Sequence, residues 1–415
     1  MPRAPLFPLR SVVLGAFVPT FVFDVGAGAM LPVIVPTAAG LGASLATAGA
    51  VAALLPLGQI VADVPAGTFA ARVGDRRAMI VAGGVAAVAF TTAAVAPHLV
   101  TFALAVAALG MAAAVFNLAR HSYLTEITPP LQRARVLSTL GGVHRIGQFV
   151  GPFVGALVIH GGDLRGVYLL GTAAALAATV VLALVRDDPT APVAAGTGPL
   201  PSTAEPVRRT LAGLVREHGP LLRTLGVGVL LVAAVRGARQ TVIPLWGEHL
   251  GLDPAVTSVI FGIAGGVDML LFYPAGKVMD HMGRLWVGIP AMLTMGAAML
   301  LLPFAHSAVS LAVVGGVLGL GNGMSSGILM TLGSDVAPAH ERARFLGLWR
   351  VLQDSGTAAG PLIISAGAAL GSLAGGIWAA AALGPAAAAA LARWVPRWTV
   401  HANRTTRRRA GIGSS

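Results

Sequence analysis

Long uninterrupted runs of apolar residues fill most of this chain, and charged residues gather in the short stretches between them. A helix needs about 20 apolar residues to cross a bilayer core about 30 Å thick. The alternation of apolar and polar residues that is typical of membrane barrel strands does not occur. The pattern therefore predicts twelve membrane-spanning helices, at approximate positions 11–36, 47–70, 78–97, 99–119, 136–160, 166–185, 222–246, 254–276, 285–304, 309–333, 345–369 and 372–392.

The composition supports this prediction. Of the 415 residues, 56% are hydrophobic and 11% are charged, whereas soluble proteins carry roughly 25% charged residues. Such a chain is too apolar for a soluble globule and for a disordered protein. No cysteine is present, so disulfides, thiolate metal sites and cysteine nucleophiles are excluded. The expected fold class is an all-α membrane protein.

Basic residues are distributed unevenly between the two sides of the predicted helices. With twelve spans both termini lie on one side, which holds 23 of the 28 Lys and Arg residues, with Arg120 counted in a loop. Arg165 alone lies on the opposite side. The positive-inside rule then places both termini in the cytoplasm of a cell membrane. The net charge of +12 favours anionic lipid, and we interpret the tail RTTRRRAG as a juxtamembrane anchor and not as a nucleic-acid ligand.

The chain consists of two similar halves. At a constant shift of 209 residues, Arg133 and Arg135 recur as Arg342 and Arg344, and Gly147, Gly151 and Pro152 recur as Gly356, Gly360 and Pro361. Parallel repeats of this kind are typical of secondary transporters. We expect six-helix bundles at 1–186 and 221–396, a cytoplasmic linker with an amphipathic helix at 187–220, and a basic cytoplasmic tail at 397–415.

Two loops and one helix carry recognisable motifs. The loop GKVMDHMGRL contains Gly276, Asp280, Gly283 and Arg284, and its first-half equivalent GTFAARVGDRR contains Gly67, Arg72, Gly74 and Arg76, with Ala71 where the second copy has its acid. Span five carries GQFVGPFVGA, with Gly147, Gly151, Pro152 and Gly155. Span one ends in LPVIVP, with Pro32 and Pro36.

These motifs resemble those of the major facilitator superfamily, and the resemblance covers essentially the whole chain. The two loops are similar to the family's gating loops, and the span-five glycines resemble its antiporter signature. The proline pair is similar to that of the drug:H+ antiporter group, although Val106 replaces the arginine that many such exporters carry in span four. The resemblance implies a pair of six-helix bundles that rock about a central substrate site.

Other chemistries lack their motifs. The only Gly-Lys pair is followed by Val278, so the phosphate-binding loop of an ATP-driven pump is absent. Histidines near the membrane surfaces lack paired ligand spacing, and no nucleophile–base set is visible. We therefore expect no metal, no cofactor and no enzymatic activity.

Charged residues inside the spans are the main candidates for function, because a charge at the bilayer centre costs at least about 2.5–3.5 kcal/mol on insertion scales. Static ion pairing and a role in transport are both open for each of them. The set comprises Asp24, Asp63, Asp268, Asp354, Arg145, Arg236, Arg239 and Arg350, with His144 beside them.

Depths estimated from a rise of about 1.5 Å per residue suggest partners. In the fold that the resemblance implies, Asp63 and Arg350 form a gate between the bundles, and Arg145 and Asp268 form a second pair. Asp354 lies four residues after Arg350 and is placed to exchange that arginine. Asp24, near the midplane, is expected to pair with Arg236 or Arg145, or to hold a transported proton.

The leading hypothesis is proton-coupled export of small amphipathic molecules by a monomer in the lipid bilayer. The alternative is an importer or facilitator of a polar or anionic metabolite, in which Arg236 and Arg239 bind a carboxylate or phosphate. A remote alternative is a receptor or scaffold that does not transport.

Overall fold

The computed structural model describes residues 12–129, 132–184, 211–338 and 342–410. Most of the predicted linker, residues 185–210, lies outside the described residues. The described part contains twelve long helices: α1 Val13–Gly40, α2 Leu45–Val73, α3 Asp75–Ala94, α4 Leu99–Ile127, α5 Arg133–Val158, α6 Arg165–Leu184, α7 Gly219–His249, α8 Pro254–Met282, α9 Leu285–Phe304, α10 Ala308–Val336, α11 Arg342–Leu370 and α12 Leu373–Trp398. Two short helices accompany them, the linker helix Leu211–Glu217 and the tail helix Arg404–Arg409.

Ten of these helices, among the residues described, are long and apolar enough to cross a membrane. Helices α5 and α11 are also long enough, at 26 and 29 residues. Polar side chains such as His144 and Gln148 in α5, and Gln353 and Asp354 in α11, lower their hydropathy. The prediction of an all-α membrane protein is confirmed, and α5 and α11 are polar because each carries partly buried charged side chains.

The chain forms two compact units whose boundary does not follow the sequence midpoint. Of the described residues, the first unit holds 12–30 and 58–184, and the second holds 31–57 and 211–410. Helix α1 passes between units at a 3₁₀ turn, Leu31–Val33. Pro32 lies in that turn and has no backbone N–H for an α-helical hydrogen bond. Segment 31–57 packs with the second unit although it belongs to the first half of the sequence.

Glycines bring the equivalent helix pairs of the two units into close contact. In the first unit α1 packs on α5 and α6, and in the second α7 packs on α11 and α12. A Cβ at Gly151 of α5 would lie 2.5 Å from the Val25 carbonyl oxygen of α1. A Cβ at Gly360 of α11, 209 residues later, would overlap the Ala234 carbonyl of α7. The repeated glycine stripe therefore has a packing role in both units.

The two motif loops end in glycines that need their conformational freedom. Gly74 precedes α3 with φ +86°, and Gly283 precedes α9 with φ +108°. Residues with a Cβ rarely adopt such angles. The repeat therefore preserves a tight helix-to-helix turn.

Candidate functional site

A buried ion cluster lies within the first unit. The Asp24 Oδ2 atom of α1 accepts a hydrogen bond from Arg120 Nη1 of α4 at 3.0 Å, and lies 2.8 Å from His144 Nδ1 of α5. The side chains of Asp24 and Arg120 are both 4% exposed, whereas that of His144 is 36% exposed. An acid and a permanent cation are thus enclosed, and the imidazole connects them to a more open space.

These partners correct two expectations from the sequence. Arg120 does not lie in a loop, because α4 continues to Ile127 and the arginine is buried within it. Asp24 pairs with Arg120 and His144, where Arg236 or Arg145 had been expected. The missed signal was the absence of any Gly or Pro between position 119 and Pro129. Without a helix breaker, a helix continues until the residue before a proline.

The surroundings fix the geometry of the cluster. Phe23 stacks on Phe116 with ring centroids 4.4 Å apart, which holds α1 against α4 beside the ion pair. A Cβ at Gly147 would lie 2.7 Å from Asp24 Cβ, so this glycine lets α5 reach the acid. Thr20 Oγ1 is buried and makes no hydrogen bond to any described residue. It lies one helical turn from Asp24.

A second polar cluster lies within the second unit. Asn322 Nδ2 of α10 donates to Asp268 Oδ2 of α8 at 2.6 Å, and Arg239 Nη1 of α7 lies 3.8 Å from the same oxygen. Arg236 Nη1 donates to the Ser325 carbonyl oxygen at 3.4 Å, next to the turn that interrupts α10. Arg236, Arg239 and Asp268 are thus placed together, and Asn322 is a member that the sequence analysis missed because it carries no charge.

The remaining candidates within the spans are more dispersed. Arg350 Nε lies 3.6 Å from Asp354 Oδ2 on the same helix, at the spacing of four residues expected for such a pair. Asp63 Oδ2 is buried in α2 and makes no hydrogen bond to the residues described. Arg145 lies in α5 beside His144 and is half-buried. The gate pairings of Asp63 with Arg350 and of Arg145 with Asp268 stay predictions.

The two motif loops differ in their electrostatics. In the second unit Arg284 binds Asp335 of α10 with two hydrogen bonds, at 3.0 and 3.2 Å, and lies 3.6 Å from the exposed Asp280. In the first unit Arg76 donates to the Leu182 carbonyl at the end of α6 at 2.8 Å. Of the other motif residues, Arg72 is exposed, and a Cβ at Gly67 or Gly276 would meet nothing within 4 Å. The loop arginines thus fasten neighbouring helix ends within each unit.

A family profile agrees with this architecture. The sequence profile of the Major Facilitator Superfamily matches residues 16–361. This chain belongs to the Major Facilitator Superfamily. It is a multi-pass membrane protein of a transporter family whose members are typically not enzymes.

Relatives and solved structures show what the chain is similar to. Two uncharacterized MFS-type transporters of Mycobacterium tuberculosis strains are 28% identical over 180 residues, which is 42% of this chain and 24% of their own length. A D-xylose–proton symporter has a TM-score of 0.67 at 16% identity, with 92% of this chain and 96% of that chain covered. A nucleoside transporter has a TM-score of 0.73 at 14% identity, with 92% and 99% covered. At these identities the solved structures show the fold alone.

Proposed function

We propose that this transporter exports small amphipathic molecules in exchange for protons, by alternating access in a cell membrane with both termini in the cytoplasm. The protein acts as a monomer. The observation that carries the proposal is the buried pair of Asp24 and Arg120, with the more exposed His144 beside it. The glycine packing of α5 on α1, which resembles an antiporter signature, supports exchange.

The cluster suits proton coupling because its net charge changes with a single proton. With a neutral imidazole, Asp24 and Arg120 cancel each other. A proton that enters through the half-exposed His144 gives the cluster a net positive charge, or it neutralises Asp24 and releases Arg120. Either change alters the free energy of keeping the charged cluster away from water. Proton binding can therefore favour one of the inward-open and outward-open states, and proton release the other.

Charge pairs between the halves are proposed as the cytoplasmic gate of the outward-facing state. Asp63 pairs with Arg350 and Arg145 with Asp268, and Arg350 returns to Asp354 when the gate opens. The loose contact of 3.6 Å between Arg350 and Asp354 supports this exchange. A charge swap at positions 63 and 350 should recover part of the activity that Asp63→Asn loses.

Transport in proteoliposomes tests the proposal. The purified protein is reconstituted, a pH gradient is imposed, and efflux of amphipathic dyes such as ethidium is followed. Asp24→Asn should fold and bind dye but no longer respond to the gradient. Asp163→Asn, which removes an exposed acid, is the matched control and should behave as wild type. Full gradient-driven efflux by Asp24→Asn would exclude Asp24 as the proton site.

A second candidate function rests on the cluster in the second unit. Arg236, Arg239 and Asn322 gather cationic and amide donors around α7 and α10, as a site for a carboxylate or phosphate requires. This favours import of a polar or anionic metabolite. The same vesicles distinguish the two candidates. Uptake of organic anions that is driven by the imposed pH gradient, without dye efflux, would favour the importer over the exporter.

A further inference from the structure

The segment after α12 folds back onto the motif loop of the second unit. The backbone amides of Arg284 and Leu285 donate to the carbonyl oxygens of His401 and Ala402, both at 3.1 Å. A Cβ at Gly283 would lie 2.6 Å from the Ala402 carbonyl oxygen, so the glycine also makes room for this segment. Residues 399–410, called the docked tail below, thus pack on the α8–α9 loop.

Side chains fasten the docked tail at both ends. Thr399 Oγ1 donates to Asp335 Oδ2 at 3.2 Å, the same carboxylate that binds Arg284. Arg407 Nη1 donates to the carbonyl oxygens of Asp280 and His281, at 2.6 and 3.1 Å. A cation is favourable there because the carbonyls at a helix C-terminus carry partial negative charge. Arg407 is therefore committed to the contact within the protein.

The other tail arginines are more exposed than Arg407. Arg404, Arg408 and Arg409 of the tail helix are exposed, whereas Arg407 is half-buried. Residues 371–415 contain six arginines and no acidic residue. The docked tail therefore presents three exposed positive charges, with no acidic residue in its own segment.

The location of these charges favours a lipid partner. The tail helix begins six residues after α12 ends at Trp398. Near that end the guanidinium groups of Arg393 and Arg397 lie 5.2 and 4.7 Å from the Trp394 ring centroid. Tryptophan and arginine at the end of a spanning helix are typical of the headgroup region. This position close to the end of α12 favours contact between the three exposed arginines and lipid phosphates.

We propose that Arg404, Arg408 and Arg409 bind the headgroups of anionic phospholipids, and that the bound lipid holds the docked tail on the α8–α9 loop. The tail and the motif loop are connected at Arg284, whose backbone amide donates to the His401 carbonyl oxygen. The side chain of Arg284 and that of Thr399 in the tail also bind the same carboxylate, Asp335. Lipid charge thereby stabilises one arrangement of a loop that belongs to the transport machinery.

The experiment uses the full chain in nanodiscs of phosphatidylcholine, alone or mixed with phosphatidylglycerol. Native mass spectrometry measures the preference for bound phosphatidylglycerol, and hydrogen exchange measures protection of peptides that contain residues 283–286. The wild type should prefer phosphatidylglycerol and should be better protected when it is present. Arg404→Gln/Arg408→Gln/Arg409→Gln should weaken that preference on the order of 100-fold, from about 1 kcal/mol for each basic residue. It should also abolish the lipid-dependent protection.

Two single variants separate the docking contact from the lipid contact, and each removes one tail arginine. Arg408→Gln should weaken the lipid preference on the order of fivefold and leave the loop protected in phosphatidylcholine. Arg407→Gln should lose loop protection in both lipids. Arg165→Gln, an exposed arginine in the other unit, should leave both readouts unchanged. A triple variant with the wild-type preference would overturn the proposal. So would an oligonucleotide that binds the tail and is not displaced by phosphatidylglycerol.

Discussion

Replacement of Arg120 by Gln tests whether the buried cluster is a strongly coupled charge pair. Arg120 Nη1 and Asp24 Oδ2 are 3.0 Å apart, with both side chains 4% exposed. At that distance the attraction is about 5 kcal/mol for an effective dielectric constant of about 20. Removal of one partner leaves a buried carboxylate with less compensation, for which a cost of about 3–5 kcal/mol is usual. We expect a loss of that size in the free energy of unfolding at pH 8.

His144 limits that loss, because its Nδ1 atom lies 2.8 Å from the same carboxylate oxygen and stays as a hydrogen-bond partner when Arg120 is replaced. The double variant Arg120→Gln/His144→Gln should therefore be less stable than Arg120→Gln alone, because the buried carboxylate then loses both partners.

The assay is reversible unfolding in mixed micelles, arranged as a double-mutant cycle with Asp24→Asn. The double variant Asp24→Asn/Arg120→Gln should be more stable than Arg120→Gln alone, because no charge is left without a partner. The coupling energy should reach about 2 kcal/mol. Arg165→Gln, an exposed control, should cost less than about 0.5 kcal/mol. Effects of the two single changes that add within about 0.5 kcal/mol would refute the reasoning.

Three further predictions follow from packing and topology. Gly151→Ala should lower the free energy of unfolding by about 1–3 kcal/mol, since the added Cβ would meet the Val25 carbonyl oxygen. In the same unfolding assay Gly141→Ala is the control and should be neutral or slightly stabilising, because a Cβ there would have no atom within 4 Å. Arg284→Gln should lower the free energy of unfolding by about 3 kcal/mol, because it leaves the mostly buried Asp335 without its cationic partner. Arg77→Gln removes an exposed arginine and should have little effect. Equal unfolding midpoints for the two variants would contradict this prediction. Finally, a cysteine at position 163 should react with an impermeant maleimide in intact cells. A cysteine at position 217 should react only after the membrane is permeabilised. The reverse labelling pattern would contradict the predicted topology.

The sequence by itself determined the elements that depend on local chemistry. A bilayer leaves backbone groups no water to bind, so each apolar run of sufficient length must form a helix. The positions of the spanning helices, the all-α class and the repeat of 209 residues therefore follow from the sequence, although the end of α4 does not. The positive φ of Gly74 and Gly283 explains why these loop positions are glycine. The antiporter-like stripe was also readable, because glycines four residues apart share one face of a helix.

Only the tertiary structure decided which side chains meet. Arg120 and His144 contact Asp24 because α4 extends beyond its apolar run and because α5 rotates His144, not Arg145, towards α1. A step of one residue turns a helix by about 100°, so depth along the axis does not specify a partner. Asn322 joined Asp268, and the tail joined Arg284, through contacts between residues 54 and more than 100 positions apart. Such contacts depend on how whole helices pack, which no local stretch of sequence encodes.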